Sequence, residues 1–132
     1  MLTIGQSASF TKRITENDIN AFAEVSGDHN PIHVDEEAAK KSVFGRRIAH
    51  GMLSASFISA VLGMYLPGEG TIYLGQNLKF LKPVDIGDEI TAKVTVAEVV
   101  NEDKGIYKLS TQCFNQKDEM VIDGEATVKY LD

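Results

Sequence analysis

The chain is poor in the residues that mark several specialised classes of protein. Its 132 residues include one cysteine, three prolines and no tryptophan. The single cysteine, Cys113, excludes an internal disulfide and a metal site built from cysteines. The formal net charge is −6, and no cluster of basic residues is longer than Arg46-Arg47. A nucleic-acid partner is therefore not expected, because it would require a basic stripe or patch.

Long apolar runs are missing as well. The uncharged stretch at residues 52–66 is interrupted by three serines and by Gly63. A bilayer-spanning helix needs about 20 apolar residues, so this stretch predicts a core helix and no membrane contact. The N-terminus lacks the basic segment followed by an apolar segment that a secretory signal would have. We therefore expect a cytoplasmic protein.

The composition that remains is that of an ordinary globular protein. Hydrophobic residues make up 43% of the chain and charged residues 24%, so disorder is not expected. A chain of this length is sufficient for one core but leaves no room for a second. We expect residues 1–132 to form a single domain.

Apolar periodicity predicts helices in the first half of the chain and strands in the second. A strand at residues 8–14 is followed by a helix that Thr15 caps and Gly27 ends. The uncharged stretch at residues 52–66 predicts a long helix. Alternating apolar and polar residues then predict four further strands, at residues 72–80, 89–100, 107–114 and 120–130.

The long helix at residues 52–66 decides the predicted fold. Its apolar residues cover almost every side of the helical wheel, so other elements must surround it. With about five antiparallel strands available, we expect a curved sheet wrapped around this helix, which is the α+β hot-dog fold. A single sheet would leave its edges and part of the helix uncovered. This predicts pairing with a second copy, as a homodimer or a higher assembly.

Asp28 and His33 are the first candidates for chemistry. They are five positions apart in residues 26–33, where Gly27 and Pro31 predict irregular backbone. A carboxylate and an imidazole can hold one water between them, with His33 accepting its proton while Asp28 orients it or carries the other proton. The alternative is structural: Asp28 caps a turn and His33 bonds a backbone carbonyl.

His29 and His33 are four residues apart and adjoin Asp28, a spacing that raises the question of a metal site. Such a pair converges only on a helix, and Pro31 lies between the two. We therefore predict no metal ligands here and expect His29 to face solvent. Asn30 is predicted to fix the loop through its side-chain amide.

Gly51 is a candidate for binding an oxygen that gains negative charge during a reaction. At the start of the long helix its N–H has no intrahelical acceptor and lies at the positive end of the helix dipole. The alternative is that the glycine only lets the loop enter the helix. Ser59, two turns on, is predicted to bond either within the site or to its own helix backbone. His50 is interpreted as structural.

Arg46 and Arg47 form an adjacent pair of cations close to Gly51 in the sequence. One interpretation is that they bind the phosphates of a large cofactor-like substrate, because guanidinium groups match phosphate geometry. The other is that they belong to a solvated loop.

Three segments carry a resemblance to a known family. Residues 22–33 contain Gly-Asp-His-Asn-Pro-Ile-His after an aromatic residue, and residues 44–52 read Phe-Gly-Arg-Arg-Ile-Ala-His-Gly-Met. The third segment is residues 72–80, followed by Pro83-Val84 and Gly87-Asp88. Together they resemble the hydratase signature, the loop into the central helix and the following strand and turn of the MaoC-like (R)-specific enoyl-CoA hydratase family.

The resemblance implies reversible hydration of a trans-2-enoyl-CoA to the (R)-3-hydroxyacyl-CoA by a hot-dog dimer. Coenzyme A thioester is then the substrate, and no metal or other cofactor is implied. Carried over by position, Asp28 and His33 would bind and activate the water. Gly51 would polarise the thioester carbonyl, and Ser59 would be an accessory hydrogen-bonding residue.

The length of the chain leads us to expect a short- to medium-chain acyl pocket. We expect Leu62 of the long helix and Thr127 of the last strand to line it. Two other functions stay open on this fold. A hot-dog acyl-CoA thioesterase would release free coenzyme A, and a non-catalytic module would bind acyl-CoA without turnover.

Overall fold

A computed structural model describes residues 1–132 and contains five strands and four helices. In chain order these elements are β1 (Ser7–Arg13), α1 (Glu16–Ser26), α2 (Pro31–Val34), α3 (Glu36–Lys40), α4 (Gly51–Met64), β2 (Ile72–Phe80), β3 (Glu89–Asn101), β4 (Ile106–Phe114) and β5 (Met120–Lys129).

The limits of α1 follow from its sequence. The Thr15 hydroxyl accepts a hydrogen bond from the Asp18 N–H, and the Asp18 carboxylate accepts one from the Thr15 N–H. Gly27 follows the helix with a φ of 82°, a left-handed conformation that favours glycine. The predicted cap and end of this helix are both confirmed, and the chain turns here into the segment that carries Asp28.

The strands form one antiparallel sheet in the order β1-β3-β4-β5-β2, so β1 and β2 are its edges. Every second residue of β4 is buried, as is every second residue over most of β3. This is the alternation that the sequence predicts, because successive side chains of a strand point to opposite faces. One face of the sheet is therefore apolar and must be covered.

α4 covers that face. It packs mainly against β3 and also contacts β1 and β4. Ile58 and Val61 of α4 are completely buried, and they belong to a single cluster of 23 buried hydrophobic residues that includes both helix and sheet. Met52 and Met64, in contrast, stay more than half exposed on the side of α4 that the sheet leaves open.

Cys113 lies on the face of β4 that meets α4. It is completely buried, and its Sγ lies 3.7 Å from the backbone carbonyl oxygen of Ser54. Burial raises the pKa of this thiol to about 12, because the charged thiolate is unfavourable away from water. The side chain therefore acts as a small apolar group of the core.

Two features of the helices differ from the sequence prediction, besides shifts of one residue at strand ends. α4 begins at Gly51 and ends at Met64, whereas the apolar run predicted residues 52–66. Pro31 opens the one-turn helix α2, although irregular backbone was predicted there. Proline is tolerated at the first helical position because an N–H there has no intrahelical partner to lose.

None of the helices has the length and apolar character needed to span a bilayer.

Candidate active site

Asp28 lies at the surface, in the loop between α1 and α2. Its carboxylate accepts a hydrogen bond from the Asn30 N–H at 3.2 Å, and its own N–H donates to the Ser26 hydroxyl at 3.1 Å. Asn30 caps α2, because its side-chain oxygen accepts from the Ile32 N–H at 3.3 Å. Asn30 therefore fixes the loop as predicted. The Asp28 carboxylate faces solvent, and the Asn30 N–H holds one of its oxygens in place.

His33 is held by α2 in a buried position. The residue is 8% exposed, and its Nδ1 lies 2.8 Å from the Ile48 carbonyl oxygen. A carbonyl can only accept, so Nδ1 carries the proton and Nε2 of the neutral ring keeps a lone pair. His33 thus satisfies a backbone carbonyl, as the structural alternative required. The same bond prepares Nε2 to accept a proton.

His50, the residue before α4, packs directly on His33. The two ring centroids are 3.9 Å apart and the rings are inclined by 28°. His50 Nε2 donates to the Asp28 backbone carbonyl at 2.9 Å, while its buried Nδ1 has no hydrogen-bond partner. Burial lowers the pKa of His50 below its ordinary value, so the neutral ring is favoured. His50 therefore ties the backbone of the Asp28 loop to the ring of His33.

The Asp28 carboxylate and ring nitrogens of His33 and His50 lie within 4.8 Å of one another. Histidine binds a metal through a lone pair in the plane of its ring, and stacked rings direct their lone pairs side by side rather than to one point. The cluster therefore suits proton transfer better than metal binding. His29 is exposed, beside Glu24, and does not join it.

Gly51 opens α4, so its N–H has no acceptor within the helix, and no side chain caps it. A methyl group on Gly51 would lie 2.6 Å from two ring carbons of Phe80. A side chain at position 51 would therefore force Phe80 or the helix start to move, so the glycine does more than let the loop enter the helix. The N–H at the positive end of α4 remains able to bind an oxygen with partial negative charge.

Two cavities flank the first turns of α4. One, of about 280 Å³, is lined by His33, Gly51 and mainly apolar residues from the segment before α4, from the end of β2 and the segment after it, and from β5. The other, of about 530 Å³, begins at Met52 and extends past Ser59 along β2. Ser59 is thus exposed to a different cavity from His33 and Gly51. Gly51 lines the first cavity, and the next residue, Met52, lines the second.

The phosphate-binding prediction for the two arginines is wrong for Arg47. Its side chain is 7% exposed and donates only to protein groups, so it cannot meet a phosphate in solvent. Arg46 is half exposed, but its guanidinium pairs with the carboxylate of Asp85. That hydrogen-bonded partner raises the pKa of Arg46 and neutralises its charge locally.

The acyl-pocket prediction is not supported for either of its residues. Thr127 pairs with Lys108 on the face of the sheet opposite α4, while its neighbours Ala126 and Val128 are completely buried against the core. Thr127 therefore faces away from α4, although its partner on β2, Gly75, lines the larger cavity. Its place in the acyl pocket stays a prediction. Leu62 is 1% exposed, belongs to the core cluster and lines neither cavity.

Local sequence patterns give little or no indication that two further residues belong to the site. His50 stands beside Gly51, and its position before a helix start was the only indication that it approaches the site. Phe80 ends β2, and nothing local predicts that its ring meets a glycine 29 positions earlier. Both contacts depend on how α4 packs against the sheet, which local patterns do not specify.

One antiparallel sheet packed around one long helix, with ionisable groups at the start of that helix, defines a protein of the hot-dog fold. The chain belongs to the family described as "MaoC like domain", whose model matches residues 2–117. The predicted fold and the predicted family are both confirmed.

Individual relatives match nearly the whole chain. An (R)-specific enoyl-CoA hydratase of Rhodospirillum rubrum is 56% identical over 124 residues, which cover 94% of this chain and 85% of that protein. An (R)-specific enoyl-CoA hydratase of Aeromonas caviae is 48% identical over 97% of this chain and 95% of its own length. The solved structure described as an (R)-hydratase from A. caviae involved in PHA biosynthesis superposes with a TM-score of 0.93 at 47% identity, covering 98% of each chain.

Proposed function

We propose that the protein catalyses the reversible (R)-specific hydration of trans-2-enoyl-CoA to (R)-3-hydroxyacyl-CoA. The observation that carries this proposal is the meeting of a carboxylate, an imidazole and an uncapped helix-start N–H at one end of α4. Relatives that carry this activity in their names are 56% and 48% identical over nearly the whole chain, which supports the same reaction here.

The geometry supports a mechanism with one water. Nε2 of His33 takes a proton from the water, and Asp28 orients the water by accepting its other O–H. The water oxygen bonds to Cβ, and the electron pair of the double bond moves toward the thioester oxygen, where the Gly51 N–H stabilises the enolate. The proton then passes from His33 to Cα. These steps need no metal or other cofactor, because the thioester carbonyl accepts the electron pair.

The two cavities suit the two arms of a thioester whose carbonyl is bound at Gly51. We place the acyl chain in the larger cavity, which has Ser59 on its wall and is mainly apolar. The preference for short- to medium-chain acyl groups stays an expectation from the length of the chain. The pantetheine arm would then leave past His33 through the smaller cavity. Arg46 and Arg47 have no part in this proposal.

We also propose that two copies associate along β2. This strand is an edge of the sheet, so its outer backbone groups have no partner within the chain. Exposed apolar side chains adjoin it, which favours contact with another protein surface. They are Met52, Met64, Ile72, Leu74, Phe80 and Leu81. A second copy placed there would also close the larger cavity, because β2 forms one of its walls.

The cytoplasmic location stays a prediction from the sequence.

Crotonyl-CoA is the substrate that tests the reaction. We expect loss of the enoyl-thioester absorbance and formation of (R)-3-hydroxybutyryl-CoA on chiral analysis. Asp28→Ala and His33→Ala should each lower kcat/KM by about 10²–10⁴-fold, the usual contribution of a general acid or base. His29→Ala is the matched control, because it removes an exposed imidazole from the same loop outside the cluster. We expect its kcat/KM to stay within about twofold of wild type.

The same preparation separates the alternatives. Release of free coenzyme A from saturated acyl-CoA without hydration would identify a thioesterase. Acyl-CoA binding without either reaction would identify a binding module, and an (S) or racemic product would contradict the proposed stereochemistry. Light scattering on this preparation gives the mass in solution, and a monomer would contradict association along β2.

A further inference from the structure

We infer that Arg47 is a positioning residue for His33, an inference that rests on the proposed function. The Arg47 side chain is 7% exposed and lines neither cavity flanking α4. It therefore acts on the substrate only through the groups that it holds. Its neighbour Arg46 is in contrast half exposed and pairs with Asp85 at the surface.

Each nitrogen of the Arg47 guanidinium has its own acceptor. Nε donates to the backbone carbonyl of His33 at 2.6 Å, one terminal nitrogen donates to the Glu16 carboxylate at 2.9 Å, and the other donates to the Asn20 side-chain oxygen at 3.2 Å. Glu16 and Asn20 are one turn apart on α1, so they present their oxygens on the same side of that helix. Arg47 thus joins α1 to the residue that carries the catalytic imidazole.

The bond to the His33 carbonyl matters because α2 is only four residues long. The last carbonyls of a helix have no intrahelical partner, and here a cationic group supplies one. The next residue, Ile48, makes two further hydrogen bonds to α2. Its carbonyl accepts from His33 Nδ1 at 2.8 Å, and its N–H donates to the Ile32 carbonyl at 3.2 Å. Arg47 and Ile48 therefore fix both the backbone and the ring of His33.

This arrangement requires an arginine rather than any cation. A lysine carries a single ammonium group and cannot reach three acceptors that are arranged as a planar fork. A shifted segment 47–48 would move Nε2 of His33 relative to Asp28 and the Gly51 N–H. Misplacement of a reacting group by about 1 Å can lower a rate by roughly 10²-fold.

Steady-state kinetics with crotonyl-CoA test the inference first. Arg47→Met should lower kcat by about 10–100-fold with KM within about twofold of wild type, because Arg47 lies outside the cavities. Arg47→Lys should give an intermediate kcat. The matched control is Arg13→Met, which removes an exposed arginine that also donates to a backbone carbonyl, of Gly87, and to a carboxylate, of Glu89. Its kcat should equal that of wild type.

A second readout does not depend on turnover. Long-range ¹H–¹⁵N spectra of histidine-labelled protein report which ring nitrogen carries the proton. We expect the Nδ1–H tautomer for His33 in the wild type, and a mixture or broadened signals in Arg47→Met, with the exposed His29 unchanged. A folded Arg47→Met protein with unchanged kcat and unchanged His33 signals would overturn the inference.

Variants of Glu16 keep the test decisive if Arg47→Met does not fold. Glu16 is 63% exposed, so its replacement is tolerated more easily than loss of a buried guanidinium. Glu16→Ala should lower kcat several-fold and disturb the His33 signals, while Glu16→Gln, which keeps an acceptor for Arg47, should restore both. Unchanged values in Glu16→Ala would contradict the inference. If the wild type itself does not hydrate crotonyl-CoA, the proposed function fails, and the spectra alone decide whether Arg47 positions His33.

Discussion

Buried polar side chains are rare in the sheet and frequent in the segment between α1 and the start of α4. The buried face of the sheet has one completely buried polar residue, Thr111, whose hydroxyl accepts from Gln76 at 2.8 Å. Of the other four buried polar or charged residues of the chain, His33, Arg47 and His50 lie in that segment, and Ser54 lies in the first turn of α4. Burial of polar groups is unfavourable unless they are hydrogen-bonded, so this concentration serves geometry rather than stability. We conclude that the sheet maintains the fold and the segment maintains the site.

The largest expected effect comes from the sheet. Leu109 is completely buried on the face of β4 that meets α4. Leu109→Ala should lower the free energy of unfolding by about 2–5 kcal/mol, because it removes apolar contacts and leaves a cavity. Urea unfolding measures this change, and kcat at low temperature should be nearly that of wild type. Lys108→Ala, on the opposite face, is the control. A kcat that fell in proportion to the lost stability would contradict the separation of fold and site.

A smaller effect, confined to catalysis, is expected at the start of α4. Gly51→Ala would place a methyl group against the ring of Phe80, so either the ring or the helix start must move. We expect kcat/KM on crotonyl-CoA to fall by roughly 10²-fold through misplacement of the helix-start N–H. The double variant Gly51→Ala/Phe80→Ala removes the clash and should recover part of this loss. If it recovers nothing, contact with Phe80 is not the reason for glycine.

The smallest effect is a pH dependence of stability that originates in the site segment. Because burial lowers the pKa of His50, the folded protein binds this proton less readily than the unfolded chain. The stabilising contribution of the neutral ring is present above the unfolded pKa of about 6.5 and is lost as the pH falls through the lower folded value. His50→Gln should therefore lose less stability than wild type between neutral and mildly acidic pH. Urea unfolding at both pH values tests this, and equal losses would exclude His50 as the source.

Local patterns were sufficient to predict the sheet and the long helix. The alternation in β3 and β4 and the apolar run of α4 are short-range properties of the sequence, and burial in the structure follows them. The same alternation already placed Thr127 on the polar face of β5, between Ala126 and Val128. Its assignment to the acyl pocket came from the expected role rather than from this pattern, and it stays a prediction.

The site was predictable only in part. The short segment 26–33 identified Asp28 and His33, and the start of the apolar run identified Gly51. The function of Arg47 was not predictable, because its partner Glu16 lies 31 positions earlier on a different helix. The stacking of His50 on His33 likewise joins two residues that are far apart in the sequence, and local patterns do not predict such a contact. Proline at position 31 was interpreted as a helix breaker, although it opens α2.

The buried thiol of Cys113 has a practical consequence. It is the only cysteine of the chain, and it lies between the sheet and α4, where its raised pKa keeps it protonated. An alkylating reagent can reach it only when the sheet separates from the helix, since surface motions do not expose it. The rate of labelling under native conditions therefore measures how often the core opens, without any engineered probe.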